Sequence, residues 1–196
     1  MKQYVVLIRH GGTKSGVEGR YVGTLDEPLL DCAKEEITNK ANRGVYPRAE
    51  MVFTSAQQRC RETARLIYPM IPSIVVDKLG ALDVGAYTGR RYHEIAGDEG
   101  FAHWADNRQL LPLGQGEPPH LFYTRCMLAF QDIVREAVSK GVKTAAVITH
   151  KMVIVSLIQR FCIPRSPYKN WAVPYGNGYL LQYDTILKVA RMKEVF

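Results

Sequence analysis

Two arginines and two histidines are the residues whose types and settings could do chemistry. The apolar stretch Val5-Val6-Leu7-Ile8 stops abruptly at Arg9-His10-Gly11-Gly12-Thr13, a cation and an imidazole followed by two glycines. Arg59 follows shortly after a second apolar run, Met51-Val52-Phe53-Thr54, and His150 closes a third that ends at Thr149. Guanidinium groups bind phosphate oxygens in pairs and do not lose their charge, while an imidazole near its ordinary pKa of about 6.5 is a neutral nucleophile or base at neutral pH. Glycine allows backbone N–H groups to approach an anion, so Gly11 and Gly12 read as part of a phosphate cradle. Taken alone, Arg-His-Gly is equally the end of an ordinary strand before a turn.

The elements that position these groups follow from hydrophobic periodicity. The runs at 5–8, 51–54, 74–76 and 144–149 are short, apolar and rich in β-branched residues, the pattern of buried strands. Leu29, Ala33, Ile37 and Ala41 recur every fourth residue, which predicts a helix starting near Asp31 and stopping at Gly44. Ser55-x-x-Gln58 has the form of a capping box, which predicts a helix from Ala56 with Arg59 in its first turn and an inward stripe of Cys60, Thr63, Ala64 and Ile67. A short helix is expected over 94–107, a loop over 110–119 and a long helix from Phe122 to Ala137 that ends near Gly141. The segment 152–162 is apolar nearly all round, as in a helix buried against a sheet. Residues 177–196 read as two edge strands. Polar loops at 14–28 and 78–92 are glycine-punctuated and long enough to reach a site at the strand ends.

Strands interleaved with helices predict an α/β fold, a three-layer α/β/α sandwich with a mostly parallel central sheet. A single domain over 1–196 is expected, with a loop and helical subregion at about 78–120 covering the site. Ligands of such sheets gather at the carboxyl ends of the strands, and three strands here end at Arg9-His10, just before Arg59 and at His150.

Composition narrows the ligand. With 26 basic and 19 acidic residues the formal charge is +7, which favours anionic partners, yet the cations are scattered and form no nucleic-acid arm. A small phosphorylated molecule, or a free phosphate or sulfate-like anion, is therefore expected over nucleic acid. No window reaches the roughly 18 to 20 apolar residues of a membrane span, and the chain enters its first strand without an apolar leader, so a cytoplasmic location is expected. Cys32, Cys60, Cys126 and Cys162 lie far apart and read as free thiols. No metal-ligand cluster is apparent, and no cofactor is expected. A homodimer is compatible with the sequence.

The chain resembles the histidine phosphatase superfamily, the branch containing cofactor-dependent phosphoglycerate mutases and α-ribazole phosphatase. The matching pieces run nearly end to end: Leu7-Ile8-Arg9-His10-Gly11-x-Thr13; Gly19-Arg20-x-x-Gly23-x-x-Asp26-x-Pro28-Leu29; Thr54-Ser55-x-x-x-Arg59-x-x-Glu62-Thr63-Ala64; Asp83-Val84-Gly85-x-Tyr87-x-Gly89; Gly116-Glu117; and Val147-Ile148-Thr149-His150. The resemblance implies a phosphoglycerate mutase-like fold and a metal-independent phosphomonoesterase. In it, His10 is the nucleophile that becomes phosphohistidine, and Arg9, Arg59 and His150 hold the phosphoryl oxygens. Gly11, Thr13, Arg20 and Gly23 are implied substrate contacts, and Lys151, next to His150, adds a fixed charge suited to a second anionic group on the substrate. The length is nearer that of the compact phosphatases than of the mutases, which leaves mutase-type phosphotransfer a lesser alternative.

The chain departs from the family pattern at Gly12, where Glu or Gln is usual, at Gly16, where Asn is common, and at Lys151, where Gly usually follows the histidine. At Ala81 the family usually has the glutamate that protonates the leaving alcohol. Asp83 and Glu117 are the candidate substitutes. Two functions stand open: a phosphomonoesterase impaired on unactivated esters, or a weakly active or inactive relative that binds a phosphorylated ligand.

Overall fold

The computed structural model describes residues 2–107, 111–165, 171 and 173–196. Its centre is one six-stranded sheet built from β1 (Lys2–Arg9), β2 (Met51–Thr54), β3 (Ser73–Val75), β4 (Thr144–Thr149), β5 (Gly178–Asp184) and β6 (Val189–Val195), in the order β3-β2-β4-β1-β5-β6. The first four in that order are mutually parallel; β5 runs antiparallel to β1, and β6 antiparallel to β5. Seven α-helices are described: α1 (Lys14–Val17), α2 (Asp31–Asn42), α3 (Gln58–Ile67), α4 (Tyr92–Ile95), α5 (Glu99–Asn107), α6 (Pro119–Ser139) and α7 (Lys151–Phe161). The α/β class with a mostly parallel sheet is as the sequence predicts.

Because successive side chains of a strand point to opposite faces, each central strand supplies both layers. Val5 and Leu7 of β1, with Ala145 and Val147 of β4, pack in the core that holds α6 and α7. Val6 and Ile8, with Ala146 and Ile148, pack in the core that holds residues of α2 and α3. That double burial explains why β1 and β4 read as continuous apolar runs rather than as alternating patterns. A third, smaller cluster of Val84, Tyr87, Ile95, Phe101 and Leu113 is formed within the segment after β3.

Three local expectations are corrected. The helix expected from Ala56 starts at Gln58, and Ser55 does not cap it; Asp26, from the 14–28 segment, accepts the Gln58 N–H at 2.6 Å instead. The single helix expected over 94–107 is two helices, α4 and α5, because Asp98 between them accepts from the Phe101 N–H at 3.0 Å and from the Tyr87 hydroxyl at 2.7 Å. Of the two edge strands expected at the C-terminus only β6 is an edge, since β5 lies between β1 and β6 and buries Tyr179, Leu181 and Tyr183. Residues 111–118 form the expected loop with one 3₁₀ turn; Leu110 lies outside the described residues.

Candidate active site

Parallel register brings the functional residues to one edge. Arg9 pairs with Thr149, and Thr54 with Ile148, so β1 and β4 end level with one another and β2 one residue earlier, releasing His10 and His150 at the same height with Ser55 one step behind. The His10 N–H donates to the Thr149 carbonyl at 3.0 Å and the Ser55 N–H to the Ile148 carbonyl at 3.1 Å, which extends the ladder by one step beyond the strands. Arg59 comes from the first turn of α3, entered directly from β2. Arg9, His10, Arg59 and His150 all line one cleft of about 1260 Å³.

His10 is buried, and its ring meets that of His150 edge-on, with centres 5.1 Å apart and planes at 62°. Its Nδ1 lies 2.7 Å from the Gly11 carbonyl oxygen. A carbonyl can only accept, so Nδ1 carries the proton and, in the neutral ring, Nε2 is left as the lone pair. Burial holds the His10 pKa well below the ordinary imidazole value, and the charge of Arg59 and then Arg9 pushes the same way, against the opposing bond to Gly11. His150 is likewise held well below the ordinary value, first by burial and then by His10 and Arg59. His150 Nε2 is hydrogen-bonded to Ser55 Oγ at 3.1 Å, and the Cys60 sulfur lies 3.6 Å from that same nitrogen. The Cys60 thiol is pushed up to about 12 by burial, so it stays neutral beside the ring.

Arg59 is almost wholly buried. Its Nη1 donates to the Leu25 carbonyl at 2.6 Å and its Nη2 to the Gly23 carbonyl at 3.2 Å, which anchors the 14–28 segment over the cleft. Arg9 Nη1 donates to the Val173 carbonyl at 2.6 Å, and its guanidinium carbon stacks 3.6 Å from the Tyr175 ring centre. Nε of each arginine is buried without a protein acceptor. Leaving a buried donor unpaired costs about 1–3 kcal/mol, a cost that an anion in the cleft would offset. The N-terminus of α7 faces the same space, with Lys151 and Met152 on the cleft wall and no side-chain cap on the helix. The N–H groups of its first turn and its dipole favour negative charge.

Not every residue expected at the site borders the cleft. Arg20, Gly23 and Lys151 line it, whereas Gly11 and Thr13 do not. The Gly11 N–H is already used, donating to Thr63 Oγ1 at 3.0 Å, and a Cβ there would lie 2.6 Å from Ile37 Cδ1. Glycine at 11 therefore serves the packing of α2 against the strand end, not ligand approach. Thr13 is fully buried and accepts the Gly16 N–H at 3.3 Å as the cap of α1. Asp83 is corrected as a candidate acid: it stands off the cleft and accepts the Gly85 N–H at 2.8 Å. Glu117 does line the cleft, but both its oxygens are taken by Arg125, through Nε and Nη2. The same guanidinium donates to the carbonyls of Lys78, Gly80 and Ala81, so the Glu117–Arg125 pair is the clasp of that loop. Ala81 lines the cleft without any acidic group. His93, His103 and His120 are exposed and away from it. Among the described residues, no group of three or more His, Cys, Asp and Glu side chains is arranged to hold a metal.

Two buried imidazoles, the buried Arg59 and the half-buried Arg9 thus meet at the ends of parallel strands. The model of the histidine phosphatase superfamily, branch 1, matches residues 5–191. The chain belongs to this superfamily. Phosphatase or phosphotransfer chemistry is the class of activity that membership supports. The chain is similar to phosphoglycerate mutase-like protein 4 of Arabidopsis thaliana, 30% identical over 163 residues that cover 80% of this chain and 70% of that protein. The adenosylcobalamin/alpha-ribazole phosphatase of Escherichia coli strain K12 is 25% identical over 158 residues, 79% of this chain and 76% of that one. The solved alpha-ribazole phosphatase of Shigella flexneri superposes with a TM-score of 0.83 at 22% identity, covering 98% of this chain and 96% of that one, which shows the shared fold. No described helix is long and apolar enough to cross a membrane.

The sequence left unnoticed the residues that act on the four from behind: Ser55 and Cys60 against His150, Thr63 under Gly11, and Tyr175 under Arg9. Ser55 and Thr63 stood inside quoted motifs, where one reads as a cap and the other as packing. Tyr175 had no signal beyond its place in a Pro-Tyr-Gly-Asn turn.

Proposed function

We propose that the protein is a phosphomonoesterase that works through phosphohistidine at His10, on small phosphate esters whose leaving groups depart without protonation. The observation that carries this reading is the His10–Gly11 hydrogen bond inside a cationic cleft, since it presents a neutral imidazole with Nε2 as the free base. In the first step the Nε2 lone pair bonds to phosphorus as the ester P–O bond breaks, and the leaving oxygen takes that electron pair as an alkoxide or phenolate that is protonated by solvent. In the second, water attacks the phosphohistidine, the P–N bond breaks back to His10, and inorganic phosphate departs. Arg9, Arg59 and His150 bind the phosphoryl oxygens and offset the charge that develops in each transition state. Lys151 adds positive charge to the rim, whereas Arg20 there is paired with Glu18 at 2.8 Å.

Among the described residues, Ala81 and the locked Glu117 leave the leaving oxygen without a carboxylic acid. General acid catalysis contributes about 10² to 10⁴ in rate, so alkyl esters carry that handicap and aryl esters, whose phenolates leave unaided, do not. The far wall of the cleft, with Trp104, Leu113, Phe122 and Tyr123, suits an aromatic or apolar leaving group. A phosphate-release screen over aryl and alkyl phosphates beside His10→Ala tests the reading; equal rates for both proteins on every substrate would refute it. The missing acid also favours a second reading, a phospho-ligand binder without turnover. In that case phosphate esters bind and neither class is hydrolysed.

A further inference from the structure

Tyr175 sits in a turn tied directly to the nucleophile's strand. The Gly176 N–H is shared between the carbonyls of Arg9 and His10 at 3.2 Å each, the Arg9 N–H donates to the Asn177 carbonyl at 2.9 Å, and the Tyr46 hydroxyl donates to the Gly176 carbonyl at 2.8 Å. The half-buried ring lies beneath the Arg9 guanidinium, with its centre 5.7 Å from that of His10, and it forms part of the cleft wall.

Gly16, across the cleft wall, has no positive φ to explain a glycine. The nearest obstacle is Tyr175: a Cβ on residue 16 would stand 2.3 Å from the Tyr175 hydroxyl oxygen and 3.1 Å from its Cζ, with Thr13 Oγ1, the cap of α1, at 2.9 Å. Any larger residue, including the Asn common in the family, would displace the phenol. The absent side chain at 16 and the hydroxyl at 175 are therefore one arrangement, a phenolic O–H set among the cations of the cleft. Resting on the reading that this cleft binds a phosphoryl group, the geometry points to Tyr175 as a further phosphoryl-oxygen ligand, with Gly16 as the space that admits it. A phenol O–H donates to an anionic oxygen at no cost in net charge, and its ring holds Arg9 in a fixed plane.

Inorganic phosphate, titrated calorimetrically into the full chain, tests this. A hydrogen bond to a charged group is worth enough that Tyr175→Phe weakens phosphate binding about tenfold or more. The thermal midpoint of the ligand-free protein stays unchanged, and kcat/KM for an aryl phosphate falls by a similar factor. Gly16→Ala weakens binding comparably in the native background and adds little on top of Tyr175→Phe, because the hydroxyl it would displace is already gone. Native phosphate affinity in Tyr175→Phe, or full additivity of the two substitutions, overturns the assignment, as does a lowered midpoint with unchanged affinity. If the native protein itself binds no phosphate, the phosphatase reading falls as well, so the two failures are distinct.

Discussion

The backbone N–H of Gly11 donates to Thr63 Oγ1 at 3.0 Å, and the same hydroxyl donates to the Arg59 carbonyl at 2.8 Å. One fully buried threonine thus joins the loop that carries His10 to the helix that carries Arg59. Thr63→Val keeps the shape and removes both bonds, leaving the Gly11 N–H buried and unpaired. The expected cost is about 1–3 kcal/mol of stability, read by urea unfolding, with a fall in kcat as His10 and Arg59 lose their common support. Native stability in Thr63→Val would show that the link is dispensable.

Ala81 is held by its backbone alone, its N–H donating to Gln57 Oε1 at 2.9 Å and its carbonyl accepting from Arg125 at 3.0 Å. Its side chain is free to be replaced. Ala81→Glu is expected to raise kcat on alkyl phosphates by about 10² or more and to leave aryl phosphate turnover nearly unchanged. Native alkyl rates already equal to aryl rates would mean that another acid acts.

Glu117 and Arg125 form a mostly buried pair, at 16% and 23% side-chain exposure. Glu117→Gln weakens the clasp on the 78–81 loop without removing its shape. A thermal midpoint lower by a few degrees is expected, with aryl and alkyl turnover falling by one common factor. A selective loss on alkyl esters would instead identify Glu117 as the leaving-group acid.

Burial holds the folded-state pKa of both His10 and His150 below the unfolded value of about 6.5. Below that pH the unfolded chain binds more protons than the folded one, so stability rises with pH through the window beneath about 6.5 and levels off above it. Thermal midpoints of the ligand-free protein should fall on acidification from about pH 7 to about pH 5.5, and His10→Asn should flatten the slope. Histidine NMR should find the His10 ring still neutral at about pH 6. A stability maximum on the acid side would contradict the sign.

Much of this molecule was legible because its central strands are buried on both faces. The runs Val5–Ile8 and Ala145–Ile148 have no polar residue to confuse them, and each leads within two residues to the histidine that the structure brings to the cleft. What was not legible depends on partners distant in sequence. Ser55 reads as a helix cap because Ser-x-x-Gln is local, but the cap is Asp26 and Ser55 is bonded to His150. Gly11 reads as a phosphate cradle because nothing local reveals that Ile37 packs against it. Asp83 and Glu117 could not be sorted without knowing that one turns back onto Gly85 and the other onto Arg125.

The phosphohistidine at His10 is open to direct measurement. The protein is mixed with p-nitrophenyl phosphate, quenched in alkali within the first turnovers, and analysed by intact mass and peptide mapping. The expected result is a single phosphoryl group on His10, lost on acid treatment and absent in His10→Ala, which also releases no phosphate. Turnover without a phosphorylated His10, or turnover that survives His10→Ala, would contradict it.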